Sequence, residues 1–255
     1  MPTSEAVGAV EARMPLRFPR EAVLVLLGLA ALWETASFFV QPFVVPGLER
    51  IWHSLISLRW DYVLVTLARV LAALLISFVL GVGVAVAMYQ WPACERYLRP
   101  IVRLLMAVPV VCWILFSVLW FKWVEFRIAF VLIVVCAPVF TVDFLDGMKG
   151  VQQELREMMR SFRPTRTQFF SKLLLPGALP VLLTSWKINL SLAIRVVTIA
   201  ELVGAVSGIG YGLVIAQELF SVADVFAWTM VLVMILFVLE ALLTRVEMRM
   251  LRWRT

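Results

Sequence analysis

Residues 154–180 read ELREMMRSFRPTRTQFFSKLLLPGALP, and the chain turns strongly apolar on either side of them. The segment is too polar to cross a bilayer and too patterned to be a plain linker. Met158, Met159, Phe162, Phe169 and Phe170 alternate with arginine and glutamine at roughly helical spacing, as an amphipathic helix requires. Pro164 pushes Arg163 away from helical geometry, because the proline ring collides with the backbone of the residue before it. Two short helices with a bend between them are expected, with Pro176 and Pro180 marking the return to apolar surroundings. Methionine and phenylalanine facing water are costly, so this hairpin invites cover from a partner protein or from a lipid interface.

Composition explains the surroundings. The 255 residues are 63% hydrophobic and 16% charged, with a mean hydropathy of +0.96. A soluble domain keeps its apolar share nearer half because its surface must stay wet. The apolar residues also come in long blocks, the mark of helices solvated by lipid. The expected fold is all-α: a polytopic transmembrane helical bundle of about six spans with a hairpin inserted at 147–180. The spans are placed at Ala22–Val40, Tyr62–Gln90, Arg99–Phe121 (interrupted by Pro109), Arg127–Leu145, Leu182–Gly204 and Val225–Val246. Residues 1–20 form a polar N-terminal arm and 21–255 the membrane domain. The arm and first apolar run resemble a secretory signal, but the run is too long and no small-residue cleavage site follows. It is read as an uncleaved first span.

Charge orients the bundle. With both termini on one side, sixteen basic residues fall in the arm, the 91–103 turn, the 147–180 segment and the tail. Only Arg50, Arg59, Lys122 and Arg127 fall opposite. Loops rich in lysine and arginine stay in the cytoplasm, which also accounts for the net charge of +6 without nucleic acid. Cys94, Cys112 and Cys136 form no spaced motif, and His53 has no second ligand at metal spacing, so neither a disulfide framework nor a metal site is expected.

The hairpin resembles the EAA loop of binding-protein-dependent ABC importer permeases, whose pattern is E-A-A, three residues, G, nine residues, I, one residue, L-P. Glu157 stands at the E, Met158 and Met159 at the alanines, Arg163 at the glycine, Leu173 at the isoleucine and Leu175-Pro176 at the L-P. The flanks are similar to the branch that imports nitrate, sulfonates, taurine and related solutes. They are Thr66–Val70 (TLARV), Pro109 with Trp113, Leu119–Phe121 (LWF), Leu173–Pro180, Ala200-Glu201 and Gly208–Leu213 (GIGYGL). The resemblance implies a bacterial inner-membrane permease with cytoplasmic termini. Its partners would be a cytoplasmic ATPase dimer, a second permease subunit and a periplasmic solute-binding protein. It implies that Glu157, Met158, Met159, Phe162, Arg163, Pro164, Phe169 and Phe170 meet the ATPase. The chain has no G-x4-G-K-[ST], so it carries no P-loop, and the partner would bind the ATP and Mg. At the glycine position of the pattern, Arg163 can reach positive φ only with strain.

Charges within spans are expensive and face a cavity or a partner. On the fifth span Lys187, Ser191, Arg195, Thr198 and Glu201 follow steps of four and three, one helical stripe. Lys187 and Glu201 are near enough to the span ends to snorkel. Arg195 is mid-span. It either pairs with Asp143, Asp146, Glu34 or Glu240, or lines a translocation pathway with Ser191, Thr198 and Glu201, where it would favour anions. The competing functions are an ion-coupled secondary transporter using Arg195, Asp143 and Glu201, and an intramembrane enzyme, for which no nucleophile–base or metal set is visible.

Overall fold

The computed structural model describes residues 20–41 and 44–251. Most of the N-terminal arm, Pro42 at the first break and the last four residues of the basic tail lie outside the described residues. The described chain is helical: α1 Arg20–Phe39, α2 Leu48–Ser57, α3 Trp60–Gln90, α4 Pro92–Ala107, α5 Val110–Trp120 and α6 Val124–Lys149 come first. Then follow α7 Gln153–Ser161, α8 Arg166–Phe169, a π-helical turn Phe170–Leu174, α9 Leu175–Gly204, α10 Ile209–Glu218 and α11 Val222–Met250.

By length and composition α3, α6 and α11 are each able to cross a membrane. The number rises to five if α4 with α5, and the helix from Arg166 to Gly204 with α10, each count as one bent span. Within α1 the stretch Leu27–Phe39 is apolar on the whole but shorter than a full span. The outside of the bundle is oily: Leu64 is 69% exposed, Val79 67% and Phe237 59%. Surfaces of this kind are stable only against hydrocarbon.

The third span, expected to be interrupted by Pro109, is two helices and begins earlier, at Pro92. Val108 is extended, as a residue before proline prefers, and α4 and α5 meet at 94°; the Trp113 indole N–H donates across the corner to the Leu105 carbonyl at 3.4 Å. At Pro176 and Pro180, which mark the return to apolar surroundings, the helix is continuous: α8, the π turn and α9 run on as one. The wide π turn lies just before Pro176, where the proline ring would otherwise press on the preceding turn.

Packing centres on α3, α6 and α9. Midway, Val70, Leu74, Val131, Cys136, Phe140 and Val197 form the main core. At the end near the 154–180 segment, Met88, Phe144, Met148, Leu174 and Ala178 form a second. At the opposite end Tyr62, Ile209, Trp228 and Val231 bind α3, α10 and α11 together. Gly81 sets the spacing of α3 on α6, because a Cβ there would lie 2.7 Å from the Ala137 carbonyl oxygen and from Phe140 Cβ. Small residues at such crossings let membrane helices touch backbone to backbone.

Candidate functional site

Helix α9 carries the charged stripe, and the structure separates its members. Lys187 pairs with Glu247 of α11. Ser191 and Thr198 are half-buried, with the Thr198 hydroxyl donating to the Ile194 carbonyl at 2.7 Å. Arg195 is exposed and, among the described residues, no carboxylate pairs with it. Of the acids that sequence offered, Asp146 approaches Arg99 at 4.0 Å and Glu34 accepts from the Leu48 N–H. Val181, Thr184, Ile188, Arg195, Ile199 and Leu202 are the exposed positions that follow the helical period, so an open strip runs the length of α9. At the end of this strip nearest the 154–180 segment, Asp143, Thr184, Ser185, Ile188 and Glu247 line a cavity of about 570 Å³.

Glu201 has turned away from that strip, roughly 120° round the helix from Arg195 at 3.6 residues per turn. It is fully buried. Its carboxylate accepts from Arg69 Nη1 at 2.7 Å, from the Thr66 hydroxyl at 3.0 Å and from the Gly210 N–H at 2.9 Å. Thr66 Oγ1 in turn accepts the Ile209 N–H at 2.9 Å. Arg69 spends all of its N–H groups here. Nε and Nη2 reach the Glu125 carboxylate, Nη1 donates also to the Ser207 carbonyl at 2.7 Å, and Nη2 to the Ser207 hydroxyl at 3.1 Å. A guanidinium has five such donors in a fixed fork, and full use of them is what makes a buried ion affordable. The turn from α9 into α10 exists to make this contact. Gly208 holds φ at +108°, and a Cβ on it would lie 2.3 Å from a Glu201 oxygen.

The spacing puts Glu201 on the α9 stripe and Arg69 within the 66–70 motif, but it does not join Glu201, Arg69, Thr66, Glu125 and Ser207 into one cluster. The signal was present in another form. Three separate pieces of the family pattern, at 66–70, 200–201 and 208–213, are the pieces that meet around Glu201.

At the other end of α9, the 154–180 segment consists of the short helix α7, a bend at 162–165 and, from Arg166, the start of the long helix that continues as α9, rather than the two short helices expected. Glu157 is exposed and accepts from Gln153 Nε2 at 2.8 Å. Met158 is 56% and Phe162 75% exposed, while Met159 is half-buried. Arg163 adopts φ +48°, the left-handed turn that the pattern assigns to glycine, and its N–H donates to the Arg160 carbonyl at 2.9 Å. Pro164 follows, and Thr165 opens α8 with a capping box to Gln168. The bend is thus made in the glycine's way with an arginine, at a cost of about 1–2 kcal/mol. Phe169 and Phe170 are half-buried against the core formed by α3, α6 and α9. One side chain of α7 ties it to the bundle: Arg156 Nη2 donates to the Met148 and Lys149 carbonyls at 2.8 and 2.6 Å. These are among the carbonyls left unpaired at the end of α6.

A polytopic all-α membrane bundle, with a polar cluster buried at one end and a bent, exposed segment at the other, defines an integral membrane protein whose central helix carries Arg195 on an exposed, largely apolar strip. The chain belongs to the family of binding-protein-dependent transport system inner membrane components, whose model matches residues 77–252. It is the permease subunit of an ABC-type importer for a small solute. The taurine transport system permease TauC of Escherichia coli is 29% identical to it, with 94% of each chain covered. The formylaminopyrimidine transport permease ThiX of Halalkalibacterium halodurans is 28% identical over 92% of this chain and 96% of the relative. Among solved structures, the inward-facing MetNI methionine ABC transporter superposes with a TM-score of 0.66 at 20% identity, covering 72% of this chain and 92% of that one.

Proposed function

We propose that this permease carries a small anion along the open strip of α9 and is driven through the 154–180 hairpin. In this reading it crosses the bacterial inner membrane six times, α1 being one span, with both termini and the hairpin in the cytoplasm. The excess of basic residues on the hairpin side supports that orientation. It works beside a second permease subunit, receives solute from a periplasmic binding protein and takes its energy from a cytoplasmic ATPase dimer. Glu157, Met158, Met159, Phe162, Arg163, Pro164, Phe169 and Phe170 form the coupling element, with Met158 and Phe162 as its apolar tip.

The observation that carries the anion reading is Arg195. An arginine at mid-span costs about 2.5–3.5 kcal/mol to insert even on the mildest scale. Here it has no carboxylate to offset it within the described chain, and it lies on the strip with Ser191 and Thr198 beside it. Relatives named for aliphatic sulfonates (SsuC of Bacillus subtilis, 29% identical) and for bicarbonate (CmpB of Synechocystis, 24%) agree with an anionic solute, and taurine, a zwitterion, presents a sulfonate to the same arginine.

The test is reconstitution of the chain with its ATPase and binding protein in proteoliposomes, followed by ATP-dependent uptake of taurine and bicarbonate. Uptake that survives Arg195→Ala unchanged would sink the anion pathway. A Met158→Ala/Phe162→Ala variant that still co-purifies with the ATPase and transports normally would sink the coupling role.

A further inference from the structure

The inner side of the Arg163 bend encloses a groove of about 570 Å³. Its floor is aromatic, with Tyr89, Trp91 and Phe169, and Arg160, Arg163 and Arg166 stand around it. No carboxylate lines it. Among the described residues, none of the three guanidinium groups has an ion-pair partner.

Lys149, Arg99 and Arg156 at this end are compensated, whereas Arg96, Arg103 and Lys172, like the three arginines of the groove, enter no ion pair among the described residues. Lys149 and Arg99 share Glu95 at 2.5 and 3.2 Å, and Arg156 is spent on the carbonyls of α6. Three uncompensated arginines within seven residues repel one another, and the left-handed turn at Arg163 gathers them on one opening. Such a site calls for an anion with several oxygens, since a guanidinium presents paired donors that match a phosphate. The floor adds a second requirement. It lies where α3 ends at Gln90, and Trp91 is 55% exposed there, the position tryptophan takes at a headgroup boundary. A ligand that offers phosphate to the arginines and apolar surface to the rings is amphipathic.

We infer that this groove binds the headgroup of an anionic phospholipid of the inner leaflet. The inference rests on the proposed orientation, with the hairpin facing the cytoplasm. It divides the hairpin in two. The tip at Met158 and Phe162 faces the ATPase, while the concave side holds the loop to the membrane surface, as basic pockets at a membrane boundary do for anionic lipids.

The experiment is native mass spectrometry of the full-length chain purified in mild detergent and offered phosphatidylglycerol or phosphatidylcholine. The wild type should retain phosphatidylglycerol at least about tenfold better, and R160Q/R163Q/R166Q should abolish the preference with an unchanged circular dichroism spectrum. Trp91→Ala should weaken retention of phosphatidylglycerol without removing the preference. Equal retention of the two lipids by the wild type, or an intact preference in the triple variant, overturns the proposal. So does displacement of the lipid by millimolar inorganic phosphate, which would make the groove a site for a free anion. Loss of the bound lipid on adding the ATPase would assign the arginines to the protein interface, and that too overturns it. The lipid measurement needs neither ATP nor orientation, so its failure leaves the coupling reading standing. Orientation is tested separately, by whether an impermeant thiol reagent reaches Cys94 in intact cells.

Discussion

Arg195 and Glu201 are six residues apart on α9 and are opposites. Glu201 is sealed in the bundle with both oxygens engaged, and its partners come from α3, the start of α10 and, through Arg69, from α6. Arg195 faces out of the same helix and, among the described residues, no acid pairs with it. Both are charges in an apolar helix. The difference is whether the chain itself supplies the compensation. A charge that is compensated internally holds the fold together, and one that is not remains available to a solute or to a neighbouring subunit.

The sharpest way to break this contrast is to remove Glu201. Glu201→Ala leaves Arg69 with a vacant side in a buried site, and losing one member of a buried ion pair costs about 3–5 kcal/mol. A large fall in the thermal midpoint of the detergent-purified protein is expected, with Glu201→Gln falling less because the amide still fills the space. If Glu201→Ala melts like the wild type, the cluster is not what joins α3, α9 and α10. Arg195→Ala should show the reverse pattern. Stability stays within about 0.5 kcal/mol, as for a side chain with no partner to lose, while anion uptake falls at least about tenfold. A melting loss equal to that of Glu201→Ala would show Arg195 to be structural and erase the distinction.

The hairpin allows two finer tests at the other end of α9. Arg156→Ala removes charge-assisted hydrogen bonds to the end of α6, worth about 1.5–3 kcal/mol. Faster hydrogen exchange is expected in α7, with α6 little changed at its centre. Unchanged exchange in α7 would mean that another contact holds it. Smallest of all is Arg163→Gly. Relief of the left-handed strain, about 1–2 kcal/mol, is offset by the extra chain entropy of glycine, about 0.5–1 kcal/mol. The thermal midpoint should rise slightly. A clear fall would mean that the Arg163 side chain contributes more than its backbone costs.

Much of this was legible in the chain. Long apolar blocks and prolines at the corners sufficed for an all-α membrane bundle. The spacing of Glu157, Arg163 and Leu175-Pro176 was enough to point to the family. The bend at Arg163 could be located because Pro164 acts on its immediate neighbour. What escaped was anything that depends on helices far apart in sequence. Pro109 announced a break in the third span but not that α4 and α5 would meet at 94°. Steps of four and three put Lys187, Arg195 and Glu201 on one stripe, yet they have different surroundings, because a stripe spread over a third of the helix circumference touches more than one neighbour.

Local chemistry therefore determined the elements, since hydropathy, proline geometry and capping act within a few residues. The loop charges alone gave the expected orientation. Only the tertiary structure decided which charges are satisfied. Glu201 lies 132 residues from Arg69 and 135 from Thr66, and no local rule connects them. They meet because α3, α6 and α9 pack closely enough for a glycine turn to lower α10 onto a buried carboxylate. The same packing leaves Arg195 uncovered, and so available.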